Sequence, residues 1–181
     1  QAGQWLLEQA KPDVIFLSTP HGIKLDTDFG IYMSPKGSGY ATIGNDLYNN
    51  NTSRLHNVSL NVELAPGLSQ ELLDLLQKND PKYNNVSGIY SYDDGSSMLL
   101  NWGEIIPLLL LPNISSSTTR RRHLIWSYPH RRYDHSPEMV PELLDLGAQI
   151  AQWAHDRPER IGVIVSGDLS YTHQGRGPYG Y

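Results

Sequence analysis

A chain of 181 residues is long enough to build one domain around a real hydrophobic core and too short for two independent cores. Hydrophobic residues make up 39% and charged residues 18%, with a mean hydropathy of -0.44, which excludes the charge-rich, aromatic-poor profile of a disordered chain. The formal net charge of -5 argues against a nucleic-acid partner, and the lack of cysteine removes disulfides, zinc fingers, iron–sulfur clusters and thiol nucleophiles together.

Two basic runs, Arg120–Arg121–Arg122 and Arg131–Arg132, are too short to reverse the acidic balance and read as solvated surface. The longest apolar run, Ile105–Ile106–Pro107–Leu108–Leu109–Leu110–Leu111, is broken by proline and falls far short of the ~20 residues that span a bilayer. No signal-peptide pattern opens the chain. Asn-x-Ser/Thr occurs at Asn50, Asn51, Asn57, Asn85 and Asn113, matches that arise by chance where Asn and Ser are common. The expectation is a soluble cytoplasmic protein with neither a nucleic-acid nor a membrane partner.

In chain order, residues 4–10 read as the end of a helix. Pro12–Asp13 then leads into Val14–Ile15–Phe16–Leu17–Ser18, a continuous apolar run typical of a buried strand. Residues 29–33 make a shorter strand, residues 37–54 a long surface excursion rich in Gly, Ser and Asn, and residues 58–64 a half-buried strand with period-two alternation. Ser69 is placed to cap a helix to Lys78 whose apolar face is Leu72, Leu73, Leu75 and Leu76, with Asn79–Asp80–Pro81 as its stop. Residues 123–128 form another strand candidate. The helix after it carries Val140, Leu143, Leu144, Gly147, Ile150, Ala151 and Ala154 at helical spacing and starts at either Pro137 or Pro141. Ile161–Gly162–Val163–Ile164–Val165 reads as the last buried strand.

This alternation predicts an α/β fold over residues 1–181: a single domain with a mostly parallel or mixed central sheet and helices on both faces. Ligands of such sheets bind beyond the carboxyl ends of the strands. Three strand candidates end there in polar clusters: Thr19–Pro20–His21–Gly22, Tyr128–Pro129–His130, and Ser166–Gly167–Asp168–Leu169–Ser170–Tyr171–Thr172–His173.

His21, between a proline and a glycine directly after a strand, presents an imidazole suited to a divalent metal; a loop histidine with no ligand is the equal alternative. Asp168 and His173 follow the final strand, and with His21 they can be drawn as a 2-His-1-carboxylate iron site. Such trios are easy to draw among seven histidines and nineteen acidic residues, and Asp168 reads equally as a cap of its own turn. His130, beside two arginines, is the weaker candidate. The chain has no phosphate loop, dinucleotide fingerprint or Gly-x-Ser-x-Gly frame.

Three segments together resemble the catalytic-subunit family of class III extradiol ring-cleavage dioxygenases. Lys11–Pro12–Asp13–Val14–Ile15–Phe16–Leu17–Ser18–Thr19–Pro20–His21–Gly22 is similar to its strand and metal-histidine motif. Leu100–Asn101–Trp102–Gly103–Glu104–Ile105–Ile106–Pro107–Leu108 is similar to its mid-domain motif. Ile164–Val165–Ser166–Gly167–Asp168–Leu169–Ser170, continued by Gly177–Pro178–Tyr179–Gly180–Tyr181, is similar to its late strand and active-site turn.

The resemblance implies a non-heme Fe(II) site, with Zn(II) as the alternative metal, that brings together a small catecholic aromatic and dioxygen. It places His21 at a metal-ligand position, with Asp168 as a second candidate ligand. Tyr171 stands where the family has its acid–base histidine, and His173, two residues on, is the substitute, because tyrosine, with a reference pKa near ~10, is a poor base at neutral pH. Trp102 occupies the mid-domain histidine position. The family's other metal histidine and its glutamate ligand would lie before and after these residues, so the chain is expected to be part of a longer domain. Self-association through an exposed sheet edge is a further expectation. The alternative is a non-catalytic relative, like the Memo-like proteins, that keeps the fold as a binding scaffold.

Overall fold

The computed structural model describes residues 2–44, 55–79, 85–92, 97–112, 114, 121–133 and 135–167. Helix α1 (Ala2–Trp5) runs on as a π-helical turn, Leu6–Ala10, that closes where Lys11 adopts a left-handed conformation (φ 48°) and its N–H reaches Leu6 O at 3.1 Å. Then come β1 (Val14–Thr19), β2 (Phe29–Tyr32), β3 (Lys36–Gly44), β4 (Leu55–Glu63), α2 (Pro66–Asn79), β5 (Val86–Ile89), β6 (Met98–Leu100) and α3 (Trp102–Leu109). The chain continues through β7 (Arg122–Ser127), a 3-10 turn at His130–Tyr133, α4 (Ser136–His155) and β8 (Ile161–Val165).

A five-stranded sheet runs in the order β5-β2-β7-β1-β8. Interior strand β1 pairs parallel with both β7 and β8, and β2 is parallel to β5 but antiparallel to β7, so the sheet is mixed within an α/β fold. Every residue of β1 and β2 is buried, as continuous apolar strands covered on both faces must be. On one face Phe16, Ile31, Leu124 and Trp126 pack against Leu68, Leu72 and Leu76 of α2 and Leu146 and Trp153 of α4. On the other, Ile15, Leu17 and Ile125 meet Ile105 and Leu108 of α3, together with Leu60, Met98 and Leu100. Each such side chain contributes roughly 1.5–3 kcal/mol when fully buried.

That second face differs from an all-helical cover, because α3 shares it with a three-stranded sheet ordered β4-β3-β6. The expected excursion over residues 37–54 is corrected by the same finding as far as Gly44, and residues 45–54 lie outside the described residues. Residues 36–44 are strand β3, paired antiparallel with β4 from Lys36 beside Glu63 to Gly44 beside Leu55. The glycines there serve close approach rather than looping. A Cβ on Gly39 would overlap the Leu100 carbonyl of neighbouring β6.

Smaller corrections have equally local causes. Helix α2 begins at Pro66, where proline suits the first turn, so Ser69 lies inside the helix and donates its N–H to Ala65 O at 2.8 Å. Pro137, not Pro141, stands in the first turn of α4. Strand β8 is an edge strand and not a buried one: Val163 and Val165 are 57% and 72% exposed. Among the described residues no helix is long and apolar enough to cross a membrane.

Candidate functional site

Parallel pairing in register brings the carboxyl ends of β7, β1 and β8 to one edge of the sheet. Thr19 lies beside Ser127 and Ser18 beside Val165; beyond them Tyr128 N–H donates to Thr19 O (3.2 Å) and Ser166 N–H to Ser18 O (2.8 Å). The His21 turn, the Pro129–His130 segment and Ser166–Gly167 therefore converge there, as the strand pattern predicts.

His21 is half-buried and fixed from its backbone outward. Its N–H donates to Thr19 Oγ1 at 3.2 Å, and that buried hydroxyl donates in turn to Gly103 O at 2.9 Å. Gly103 opens α3 so close to the turn that a Cβ would overlap the His21 carbonyl oxygen. This contact brings the Trp102 indole to the imidazole, with ring centroids 4.6 Å apart and planes tilted by 32°. Trp102 itself is 55% exposed.

Beneath the turn lies a buried polar network. Tyr32 and Glu104 are both 0% exposed, and the Tyr32 hydroxyl donates a short hydrogen bond to Glu104 Oε1 while accepting Ile23 N–H at 2.8 Å. The other carboxyl oxygen, Oε2, takes Asn101 N–H at 2.9 Å and completes a capping box at the start of α3. Gly22 crosses over this pair, where a Cβ would stand 2.8 Å from Ser127 Cβ, 2.9 Å from Glu104 Oε1 and 3.0 Å from the Tyr32 hydroxyl.

Burial pushes the Glu104 carboxyl above its ordinary value, opposed by the hydrogen bonds from Tyr32 and the backbone. Burial, with the neighbouring Glu104 charge and hydrogen bond, pushes the Tyr32 hydroxyl far above its own, so it keeps its proton and acts as the donor.

Of the expected site residues, the structure gives a position to His21 alone; Asp168, Tyr171 and His173 lie outside the described residues. His130 sits exposed on the 3-10 turn, its N–H donating to Leu25 O at 2.7 Å. His123 belongs to the opposite end of β7. Its Nδ1 lies 2.9 Å from Glu63 O, burial pushes its pKa down, and it serves as a neutral bridge between the two sheets.

Among the described residues, the imidazole of the turn is His21 and the carboxylate beneath it is Glu104, whose oxygens are already taken by Tyr32 and Asn101 inside the core. These two do not compose an Fe(II) or Zn(II) site, and among the described residues no group of three or more His, Asp and Glu side chains is arranged to hold a metal ion.

Sequence reasoning passed over Tyr32 and Glu104. The spacing of Asn101 and Glu104 ahead of an apolar run carries a capping-box signal, whereas nothing local marks Tyr32. No protein-family model matches the chain, and no curated protein matches it.

Proposed function

We propose that the chain is an extradiol dioxygenase-like domain whose working edge is the carboxyl end of β1, β7 and β8, acting on a small catecholic aromatic with dioxygen. One observation carries the reading. Residues 19–22, 101–104 and 166–167, drawn from the three segments that resemble the class III family and far apart in sequence, lie together at this edge: Thr19 Oγ1 donates to Gly103 O, and Ser166 N–H donates to Ser18 O. In this reading His21 is a metal ligand, and the segment after Gly167 supplies the rest, with Asp168 as ligand and His173 or Tyr171 as the acid–base group. Completion from that segment is required, since the described donors do not hold Fe(II) on their own. Trp102 offers a flat, exposed aromatic surface next to the imidazole on which a planar substrate ring can lie. A cytoplasmic location belongs to the same proposal.

A second reading, a Memo-like binding scaffold without turnover, is favoured by a different observation. Trp102 stands at the family's mid-domain histidine position and packs on His21.

Anaerobic Fe(II) titration of the chain and of His21→Ala, followed by oxygen uptake with a panel of catechols, separates the two. Stoichiometric binding that weakens by at least about tenfold in the variant, with oxygen consumption and a yellow ring-opened product, is the expected result. A well-folded chain that binds no Fe(II) would leave the scaffold and overturn the enzyme.

A further inference from the structure

The same three strands have another end. Lys11 and Asp13 precede β1, Arg121 and Arg122 open β7, and Arg160 precedes β8, all brought together by the pairing of Val14 with Arg122 and Ile161. They surround a cavity of about 500 Å³ whose apolar wall is Leu7 and Pro12. Of the arginines expected as solvated surface, Arg121 and Arg122 are thus gathered with Arg160 and Lys11 around one concavity, in a chain whose net charge is -5.

The charges there are unbalanced. Arg160 gives its Nε and Nη2 to Asp13, each at 3.2 Å, and Arg122 approaches Glu159 at 3.6 Å. Lys11 and Arg121 have no ion-pair partner among the described residues. Among the described residues the cavity therefore presents two positive charges without an ion-pair partner, one a planar fork and one a point charge.

We propose that this cavity binds an organic phosphate monoester: the dianionic phosphoryl group against Lys11 and Arg121, the organic part over Leu7 and Pro12. Guanidinium and ammonium groups converging on a concave site suit a tetrahedral oxyanion, and the volume exceeds what phosphate alone fills. A nucleic-acid backbone would need an extended basic stripe, which four cations around one cavity in a chain of net charge -5 do not provide. The site lies one strand length, roughly 20 Å for six residues, from His21 and does not depend on the dioxygenase reading.

The test titrates phenyl phosphate, inorganic phosphate and benzoate into the full chain at low salt, followed by amide NMR and calorimetry. Saturable binding of phenyl phosphate is expected, tighter than that of inorganic phosphate and benzoate, with shifts centred on residues 11–13, 121–122 and 160. Lys11→Ala and Arg121→Ala should each weaken it by at least about tenfold, and Arg121→Lys by less, because it keeps the charge and loses the fork. His21→Ala and Arg131→Ala serve as controls and should leave it unchanged. No saturation by roughly 10 mM ligand, equal binding in all variants, or shifts spread over Arg131 and Arg132 would each overturn the proposal. Unchanged circular dichroism of the two alanine variants ties their weakened binding to the lost charge.

Discussion

The two ends of β1 each hold a polar pair bridging distant parts of the chain, and the pairs differ in almost everything that decides their worth. At the carboxyl end Tyr32 and Glu104 are sealed in the core, where neither group can turn to water if its partner is lost. At the amino end Asp13 and Arg160 face solvent, where hydration and salt compete with every contact. The buried pair therefore sets geometry, tying the His21 turn to α3. The exposed pair sets far less, and beside it Lys11 and Arg121 have no ion-pair partner among the described residues.

Four experiments break or sharpen this contrast. The largest effect belongs to Gly103→Val at the carboxyl end, whose added carbons meet the His21 carbonyl and the start of α3. A loss of more than ~3 kcal/mol, or failure to fold, is expected in urea unfolding. Next comes Glu104→Leu, which strands the Tyr32 hydroxyl and Asn101 N–H. The expected cost is about 2–4 kcal/mol, and a double-mutant cycle with Tyr32→Phe should reveal a coupling of about 1–3 kcal/mol.

The third effect is a dependence on pH. Because burial raises the Glu104 pKa, the folded protein keeps a proton there that the unfolded chain releases. That stabilisation is fully present below the ordinary carboxylate pKa and is lost as pH rises through the raised value. Glu104→Gln should flatten this part of the stability profile, read as urea midpoints across that window. Smallest of all is Asp13→Asn. Arg160 holds the Asp13 carboxyl below its usual range, so the pair's contribution is present above the ordinary value and fades only in acid. At physiological salt the melting temperature should stay within experimental scatter of the unsubstituted chain.

What could be read from the sequence follows the range of the forces involved. Strand β1 and helix α4 were legible because their signals are local: a run of apolar residues in one, a helical period in the other. Strand β3 was not, since Gly37 and Gly39 look like loop residues until Leu100 lies against them from a strand far along the chain. Strand β8 has the composition of a buried strand, but burial depends on a neighbour, and at the edge of the sheet Val163 and Val165 are left uncovered. In the candidate site Pro20–His21–Gly22 announced itself after a strand. The Tyr32–Glu104 bond joins residues 72 positions apart, and only the capping-box spacing of Asn101 and Glu104 hinted at half of it. Asp168, Tyr171 and His173 lie outside the described residues.

The interior position of β1, between β7 and β8, also bears on the timing of folding. The strand that leads into His21 is translated well before its neighbours, for the contacts flanking it join Ser18 to Tyr128 across 110 positions and Asp13 to Arg160 across 147. At ribosomal speeds on the order of ten residues per second, its apolar side chains emerge some ten seconds or more before β8 can cover the second flank. Contacts of such long range fold slowly, and an apolar strand that waits for its cover is prone to aggregate. Refolding from denaturant should accordingly be slow and lose yield as the protein concentration rises.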